Sequence, residues 1–431
     1  MELDNQWIGN APASWEKVRL KDVAFFSPSY SAETPNTNEI CTVIPMEAVS
    51  EQGQVHDSEQ RPYETISSGL TLFEVGDVIF AKITPCMENG KGAFIASLPT
   101  RYAFGSTEFH VMRPFHKIDG RFLYYYTFNP TYRKYAEVNM VGAAGQKRVS
   151  TRFLKYTPLY LPDVEEQRRI AGYLDQQCAA IDGAIAVKQQ QLEKLEQIRR
   201  SVIYRAVTKG LDDTAVMQET HIDWIGKVPA HWQASRIKNV AELSPRFSGE
   251  KPSANEEYAV VPMEDVSDDG QISIKQIKSF NDISSGLTYF ENGDVIFAKI
   301  TPCMENGKGA FVTSLPTRYA FGSTEFHVLR PNRVNGEFLY YYTYNTSFRD
   351  YAEVNMVGAA GQKRVSSTFL KTTPIYLPST EEQAQIVAWV KAELDKIQQA
   401  RAVVSRQVEV LAEYKKSLIH ECVTGKRRVV V

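Results

Sequence analysis

Five cysteines are few for 431 residues, and Cys41, Cys86, Cys178, Cys303 and Cys422 contain no CxxC pair. Cys86 and Cys303 are equivalent positions of a repeat, so they belong to separate copies rather than to one cluster. Neither a disulfide framework nor a cysteine-built metal site is expected. No apolar run approaches the ~20 residues needed to span a bilayer. The opening Met-Glu-Leu-Asp-Asn-Gln lacks the basic and apolar regions of a secretory signal. The expectation is a cytoplasmic protein with no membrane partner. Charge of one sign is also missing: 49 Lys and Arg against 51 Asp and Glu leave a net charge of -2. That excludes gripping nucleic acid by bulk charge, so any such contact has to come from local clusters.

Recognisable catalytic patterns are missing as well. Gly90-Lys91-Gly92 fails as a phosphate loop, because no Gly-x-x-x-x-Gly frame precedes the lysine and no Ser or Thr follows it to hold Mg²⁺. Asn129-Pro130-Thr131-Tyr132 resembles the Asn-Pro-Pro-Tyr tetrapeptide of amino-methyltransferases. Its second copy reads Asn345-Thr346-Ser347-Phe348, without the proline, and no Phe-x-Gly-x-Gly cofactor loop accompanies either. The seven histidines are scattered, and His110 and His327 fall on alternating strand patterns where a structural role is expected. No Ser-His-Asp set or carboxylate pair can be argued. The residues therefore imply no catalysis, no cofactor and no metal.

What the sequence does contain is periodic. Over 165–208 a heptad seam runs through Leu174, Cys178, Ile181, Ile185, Lys188, Leu192, Leu195, Arg199, Val202 and Ala206. A second seam runs through Val390, Leu394, Ile397, Arg401, Val404, Val408, Leu411, Lys415, Leu418 and Cys422. Alternating steps of four and three mark helices that pack lengthwise. At ~1.5 Å per residue each rod would run roughly 65 Å, too long to hide in a small domain. Two matched seams are expected to face each other, with the apolar positions pairing. Lys188, Arg199, Arg401 and Lys415 interrupt them, and such polar positions can fix register or face a partner.

The chain is also an internal repeat. Thr71–Pro114 matches Thr288–Pro331 with five differences, at Leu72, Val75, Ile95, Ala96 and Met112. Tyr135–Pro162 matches Tyr351–Pro378 with four, at Thr151, Arg152, Tyr156 and Leu159. Each block enters its rod through the same phrase, Leu161-Pro162 to Glu165-Glu166-Gln167 and Leu377-Pro378 to Glu381-Glu382-Gln383. The linear division is a globular unit over 1–164, a rod over 165–208, a linker (209–219) and second globular unit over 209–380, and a rod with tail over 381–431. Val78-Ile79-Phe80-Ala81 reads as a buried strand and Glu108 to Met112 as an alternating one. Phe122 to Tyr126 through Tyr135 fits helix or strand: the aromatics favour strand, whereas Gly120 before and Asn129-Pro130 after suit a short helix, which is the assignment taken here. Each unit is α+β and the rods are pure helix.

Three polar loops carry the groups that reach base edges or phosphates. The first follows the buried strand and offers Lys82, Thr84, Asn89 and Lys91; the second offers Arg101, Ser106 and Thr107. The third, Gly142 to Arg148, offers Lys147 and Arg148, with Arg152 and Lys155 behind it. The second copy supplies Lys299, Thr301, Asn306, Lys308, Arg318, Ser323, Thr324, Lys363 and Arg364. Arg and Lys pair with guanine or phosphate, whereas Asn and Gln suit adenine.

Several phrases together resemble the specificity subunits of type I restriction–modification systems. They are Gly145-Gln146-Lys147-Arg148-Val149-Ser150, Phe153-Leu154-Lys155, Leu161-Pro162-x-x-Glu165-Glu166-Gln167-x-x-Ile170, and the opening Pro12-x-x-Trp15, with the repeats Gly361 to Ile386 and Pro229-x-x-Trp232. The resemblance implies two target-recognition domains related by a pseudo-twofold axis and separated by an antiparallel coiled coil of two long spacer helices. It implies a non-catalytic subunit that reads a bipartite double-stranded DNA target. The implied partners are two methyltransferase subunits and motor-nuclease restriction subunits, which use S-adenosylmethionine, ATP and Mg²⁺ themselves. Such near-identical copies lead us to expect similar half-sites, an interrupted near-palindrome. The copies diverge at Tyr30/Phe247, Thr34/Lys251, His56/Ser273, Ser58/Lys275 and Arg61/Lys278, where half-site differences would arise. The competing reading is a coiled-coil scaffold that joins protein partners without touching DNA.

Overall fold

The computed structural model describes the chain except for residues 1–6, 10, 29–33, 57–58, 67–68, 144, 246–252, 284–285, 360 and 430–431. It divides into two compact units, Met1–Gln189 with Arg406–Val431, and Gln190–Ser405. Each unit thus takes one globular region, the first half of that region's own long helix, and the far end of the other long helix.

The first unit contains strands β1 (Glu16–Arg19), β2 (Ala24–Phe26), β3 (Ile40–Ile44), β4 (Glu59–Pro62), β5 (Thr71–Phe73), β6 (Val78–Ala81), β7 (Gly92–Phe94), β8 (Ala103–Gly105), β9 (Phe109–Pro114) and β10 (Pro158–Leu161). Its helices are α1 (Gly120–Phe128), α2 (Pro130–Val138), α3 (Thr151–Tyr156) and the start of α4 (Val164–Lys209). One sheet has the order β2-β9-β6-β7 and is antiparallel throughout; the other, β4-β3-β8-β5, has one parallel pair, β3 with β8. β6 is paired on both edges and buried on both faces, and all four of its residues are buried. That environment explains an unbroken Val-Ile-Phe-Ala run in place of alternation. The short helix expected between Gly120 and Asn129-Pro130 is α1, and a second helix, α2, follows it directly. Asp119 caps α1 by accepting from the Arg121 and Phe122 amides, and Asn129 caps α2 by accepting from Thr131. Pro130 in the first turn of α2 needs no amide partner, so the pair breaks there.

The second unit repeats this arrangement. Its sheets are Ala241–Leu243, Phe326–Pro331, Val295–Ala298 and Gly309–Phe311 in that order, and Gln276–Ser279, Glu257–Val261, Ala320–Gly322 and Thr288–Phe290. The segment expected as a linker ends in a short strand, Met217–Glu219, paired with Lys227–Pro229.

Both long helices, α4 with 46 residues and Thr380–Val423 with 44, are uninterrupted. In the first unit Leu174, Cys178 and Ile181 share a buried cluster with Leu418, Ile419 and Cys422, and Ile185 and Leu411 pack on its edge. Lys415 Nζ donates to both Asp182 carboxylate oxygens at 2.7 and 2.8 Å. Residue 182 meets 415 while 178 lies beside 422, so the two segments are antiparallel. In the second unit Ile203, Ala206 and Val207 pack with Ile386, Val387 and Val390, and Leu394 lies against them. There Arg401 pairs with Glu196 at 2.9 Å, again antiparallel. Ile397 is buried, and Leu192, Leu195, Val404 and Val408 are half-buried. Three of the polar seam residues therefore hold partners inside the protein: Lys415 on Asp182, Arg401 on Glu196, and Arg199 over the Tyr344 ring at 4.9 Å.

The phrases that flank the rods turn out to be joints. Gln167 is fully buried; its side-chain oxygen accepts from the Asp119 amide, and its nitrogen donates to the Lys117 and Pro162 carbonyls. Gln383 does the same with Asn335 and Pro378. Both long helices end at a glycine in the left-handed region, Gly210 at φ +72° and Gly425 at φ +74°. A Cβ on Gly425 would sit 2.3 Å from Pro12 Cδ, so only glycine lets the Pro12-x-x-Trp15 turn close on the helix end. Replacing Gln167 by Leu strands three buried backbone groups and should destabilise the first unit by about 2–4 kcal/mol. Thermal unfolding of wild type and variant measures it, and an unchanged midpoint would contradict the joint.

Candidate nucleic-acid interface

Sheet register decides which loops meet. β6 and β9 are neighbours with Ala81 opposite Phe109, so the chain leaving β6 at Lys82 lies beside the chain entering β9 at Glu108. The third loop joins them through bridges of Arg148 to Ile83 and to Val141. The first loop, the 106–108 end of the second and the third loop, far apart in sequence, form one cluster at one end of the sheet, whereas Arg101 precedes β8 and Arg318 precedes Ala320–Gly322, at the other end of those strands. The second unit builds the same cluster, with Arg364 bridged to Ile300 and Val357.

Most of the cations expected to reach DNA are used inside this cluster. Lys82 Nζ donates to the Thr107 carbonyl at 2.5 Å, and burial pulls its pKa below the ordinary lysine value. Lys91 Nζ donates to the Met46 carbonyl at 2.9 Å. Arg148 forks onto Glu108, Nε to both oxygens and Nη2 to Oε1 at 2.8 Å, which holds its pKa above the usual value. Lys299, Lys308 and Arg364 do likewise with Thr324, Met263 and Glu325. The reason is physical: irregular backbone at a strand end leaves carbonyls without ladder partners, and a nearby ammonium or guanidinium satisfies them. Thr84 donates to Glu88, Thr301 to the Lys363 carbonyl, and Ser106 and Ser323 accept from the Glu108 and Glu325 amides.

The remaining candidates face outward. Asn89, Thr107, Lys147 and their counterparts Asn306, Thr324 and Lys363 are exposed. Arg101 and Arg318 are exposed too, each lying over the ring of the tyrosine that follows, at 5.1 and 5.0 Å. Among the divergent positions, Tyr30, Phe247, Lys251 and Ser58 lie outside the described residues. Arg61 pairs with Glu59 on β4, Lys275 pairs with Asp265, and Lys278 is exposed on Gln276–Ser279.

Sequence reasoning missed the groups that hold the cluster from below. Arg133 is 7% exposed with no carboxylate at hand; it donates to the Met87 carbonyl at 2.7 Å and lies over Phe80 at 4.8 Å. Burial lowers its pKa to about 10. Arg349 donates to Met304, Gly307 and Tyr344 carbonyls. Asp77, 1% exposed, takes a two-pronged contact from Arg113 at 2.8 Å, as Asp294 does from Arg330. The repeat preserved these residues, and around Arg133 it gave a signal: Pro130, Thr131, Tyr132 and Lys134 are replaced by Thr346, Ser347, Phe348 and Asp350 while the arginine is kept as Arg349.

His110 and His327 lie beneath the third loop, as structural residues. His110 Nε2–H donates to the Val149 carbonyl and His327 Nε2–H to Val365, each at 2.8 Å. Burial lowers both pKa values from 6.5 to about 4. The unfolded chain therefore binds the extra proton. The stability held in each neutral ring is complete above about pH 6.5 and is lost as pH falls through that value towards about 4. The limit is about 3 kcal/mol per histidine. Thermal midpoints should fall between about pH 7 and pH 5, and less steeply when both histidines are replaced by asparagine. Parallel pH profiles would refute the assignment.

A duplicated module that presents rigid polar loops at one sheet end defines a recognition protein. Residues 12–197 and 229–401 match the family described as the type I restriction modification DNA specificity domain, and the chain belongs to that family. It is 33% identical to the EcoAI specificity subunit of Escherichia coli over 163 residues, 37% of this chain. It is 31% identical to the EcoEI specificity subunit of the same species over 215 residues, 49% of this chain. Those matches span 28% and 35% of the two subunits' own lengths. A putative MjaX specificity subunit of Methanocaldococcus jannaschii matches at 23% identity across 98% of this chain and 96% of its own. A solved chain from work on complex assembly and conformational transition of the type I R-M system has a TM-score of 0.76 at 17% identity, covering 97% of this chain and all of that one. The HsdS subunit of Thermoanaerobacter tengcongensis gives 0.56 at 19%, covering 97% and 98%. These two likenesses establish the fold.

Proposed function

We propose that this chain is the non-catalytic DNA-recognition subunit of a type I restriction–modification complex. The observation that carries this reading is the paired loop cluster, built twice on the same sheet end within two matches to one specificity family. Each unit reads one half of a bipartite double-stranded target, and the bases are read from loops whose backbone is held rigid. The linear domains are two target-recognition domains, 1–164 and 209–380, each followed by a long helix, 165–208 and 381–431. We assign those helices as the spacer that sets the interval between half-sites. Methylation and cleavage are left to partners, two methyltransferase subunits and a motor-nuclease subunit, which bring their own cofactors.

The near-identity of the two copies supports similar half-sites, and the pseudo-twofold relation implied by the family resemblance would have them read on opposite strands. The target is then an interrupted near-palindrome. Because contacts are local, binding weakens steeply with salt despite the near-neutral total charge.

The test is co-expression of the chain with its neighbouring genes in a host free of other methylation, followed by methylation mapping. The expected result is one bipartite motif with related, inverted halves, lost when this chain is deleted. Two unrelated halves would remove the palindrome and leave DNA recognition standing. Methylation that keeps its sequence preference without the chain would favour the scaffold reading instead.

A further inference from the structure

In the second unit one groove combines an aromatic floor, an exposed apolar wall and an acidic rim. The helix Thr346–Val354 buries Phe348, Arg349 and Ala352. Another of its faces carries Ser347, Asp350, Tyr351 and Val354, at the i, i+3, i+4, i+7 spacing of a single stripe. Val354 is 86% exposed. Across a groove of about 670 Å³, the turn before Lys227–Pro229 brings up Ile222, Asp223 and Trp224. The Trp224 and Tyr351 rings stack, with centroids 5.8 Å apart and planes 20° from parallel. Both walls are fixed by their backbones. The Ile225 and Gly226 amides donate to the Ile222 carbonyl at 3.0 and 2.8 Å, and Thr220 Oγ1 accepts from the Ile222 amide at 3.2 Å. Asn345 Oδ1 caps the helix by accepting from the Ser347 amide at 3.1 Å.

Charge decides what fits. Asp223 and Asp350 are exposed and have no ion-pair partner among the described residues, and no lysine or arginine lines the groove. Two unneutralised carboxylates repel a phosphate backbone, so the complement is a cationic segment rather than a duplex. The repeat isolates this feature. Trp7, Tyr135 and Val138 match Trp224, Tyr351 and Val354, but Gln6 and Lys134 stand where the second copy has Asp223 and Asp350. We propose that the groove docks a basic segment of the methyltransferase subunit. A lysine or arginine side chain lies against the Trp224 and Tyr351 rings between the two carboxylates, and an apolar neighbour rests on Ile222 and Val354. The identity of that partner rests on the reading of the chain as a recognition subunit. Because Lys134 repels the same segment, the two units hold their partners unequally, the second more tightly.

The experiment titrates the purified full chain with the methyltransferase subunit encoded beside it, reading the number bound and each affinity. Wild type is compared with Asp223→Asn/Asp350→Lys and with Val354→Ser. Wild type should take up two copies in separable steps. The charge variant should weaken the tighter step roughly ten-fold or more and flatten its salt dependence. Val354→Ser should weaken the same step without changing its salt dependence. Both variants should melt with wild type, since lysine already occupies the position matching Asp350 in the first copy and Val354 is exposed. Unchanged affinity at both steps would overturn the proposal. Altered DNA affinity with partner binding unchanged would also overturn it, by placing the groove against the duplex. If wild type selected a DNA motif but bound no methyltransferase subunit, the groove assignment would fall and DNA recognition would stand. If it did neither, the recognition-subunit reading would fall as well.

Discussion

Backbone carbonyls without ladder partners are the constraint on which both loop clusters depend. A loop that leaves a strand end cannot hydrogen-bond like a strand, and every carbonyl it turns inward needs a donor. Here cationic side chains add to the backbone donors, for the Met87, Met304, Met46 and Met263 carbonyls also accept from the Gly90, Gly307, Val49 and Val266 amides. Arg133 reaches Met87, Arg349 reaches Met304 and Gly307, Lys82 and Lys299 reach Thr107 and Thr324, and Lys91 and Lys308 reach Met46 and Met263. Burying a guanidinium is costly, and the lowered pKa of Arg133 and Arg349 follows from their burial. The cost is offset because one planar group can satisfy several carbonyls at once, as Arg349 does with three.

The same economy of partners governs the long helices. No more than half of each helix is solvent-exposed, and such helices are held mainly by the apolar face they bury. The buried stretches lie where globular residues cover them, at Leu174 to Ile181 and Leu418 to Val423 in one unit, and at Ile203 to Val207 and Ile386 to Val390 in the other. Toward the ends nearest residues 190 and 405 the seam is only half-buried, and ion pairs take over: Asp182 with Lys415 in the first unit, Glu196 with Arg401 in the second. Half-exposed pairs of this kind contribute little stability each. The first pair does select register, because a shift of one turn along α4 would place Lys415 opposite Cys178, Ala179, Ile185 or Ala186.

Heptad spacing, duplication and the buried run at Val78 to Ala81 were legible because each is a local pattern repeated with a fixed period. The extent of the two helices could be read to within a residue or two for that reason. The cluster was legible only in part. The sequence pointed to three polar loops, but the residue types that reach phosphates are the same types that cap carbonyls. Lys82 and Lys147 look alike in sequence; only the sheet register, which sets Lys82 beside Thr107, separates one from the other. Arg133 was overlooked because an arginine on an amphipathic helix reads as solvated, although it is kept as Arg349 where Pro130, Thr131, Tyr132 and Lys134 all change. The joint glutamines were quoted as a family phrase, yet their work, closing three backbone groups at Gln167, is a tertiary fact.

The distribution of differences between the copies follows from the same physics. The side chains that donate to loop carbonyls, Lys82, Lys91 and Arg133, are the same in both copies as Lys299, Lys308 and Arg349, and a change there would remove a charged hydrogen bond from the loop. Sequence drifts on β4 and on Gln276–Ser279, edge strands in which three of four residues are exposed, so a substitution there disturbs no packing. Glu59-Gln60-Arg61-Pro62 has become Gln276-Ile277-Lys278-Ser279, which alters charge and shape on a surface that the fold does not constrain. A protein built this way separates two tasks. The strand-end clusters keep one geometry in both units, while the exposed edges can change independently, so any difference between the two half-sites would arise at the edges before it reached the loops.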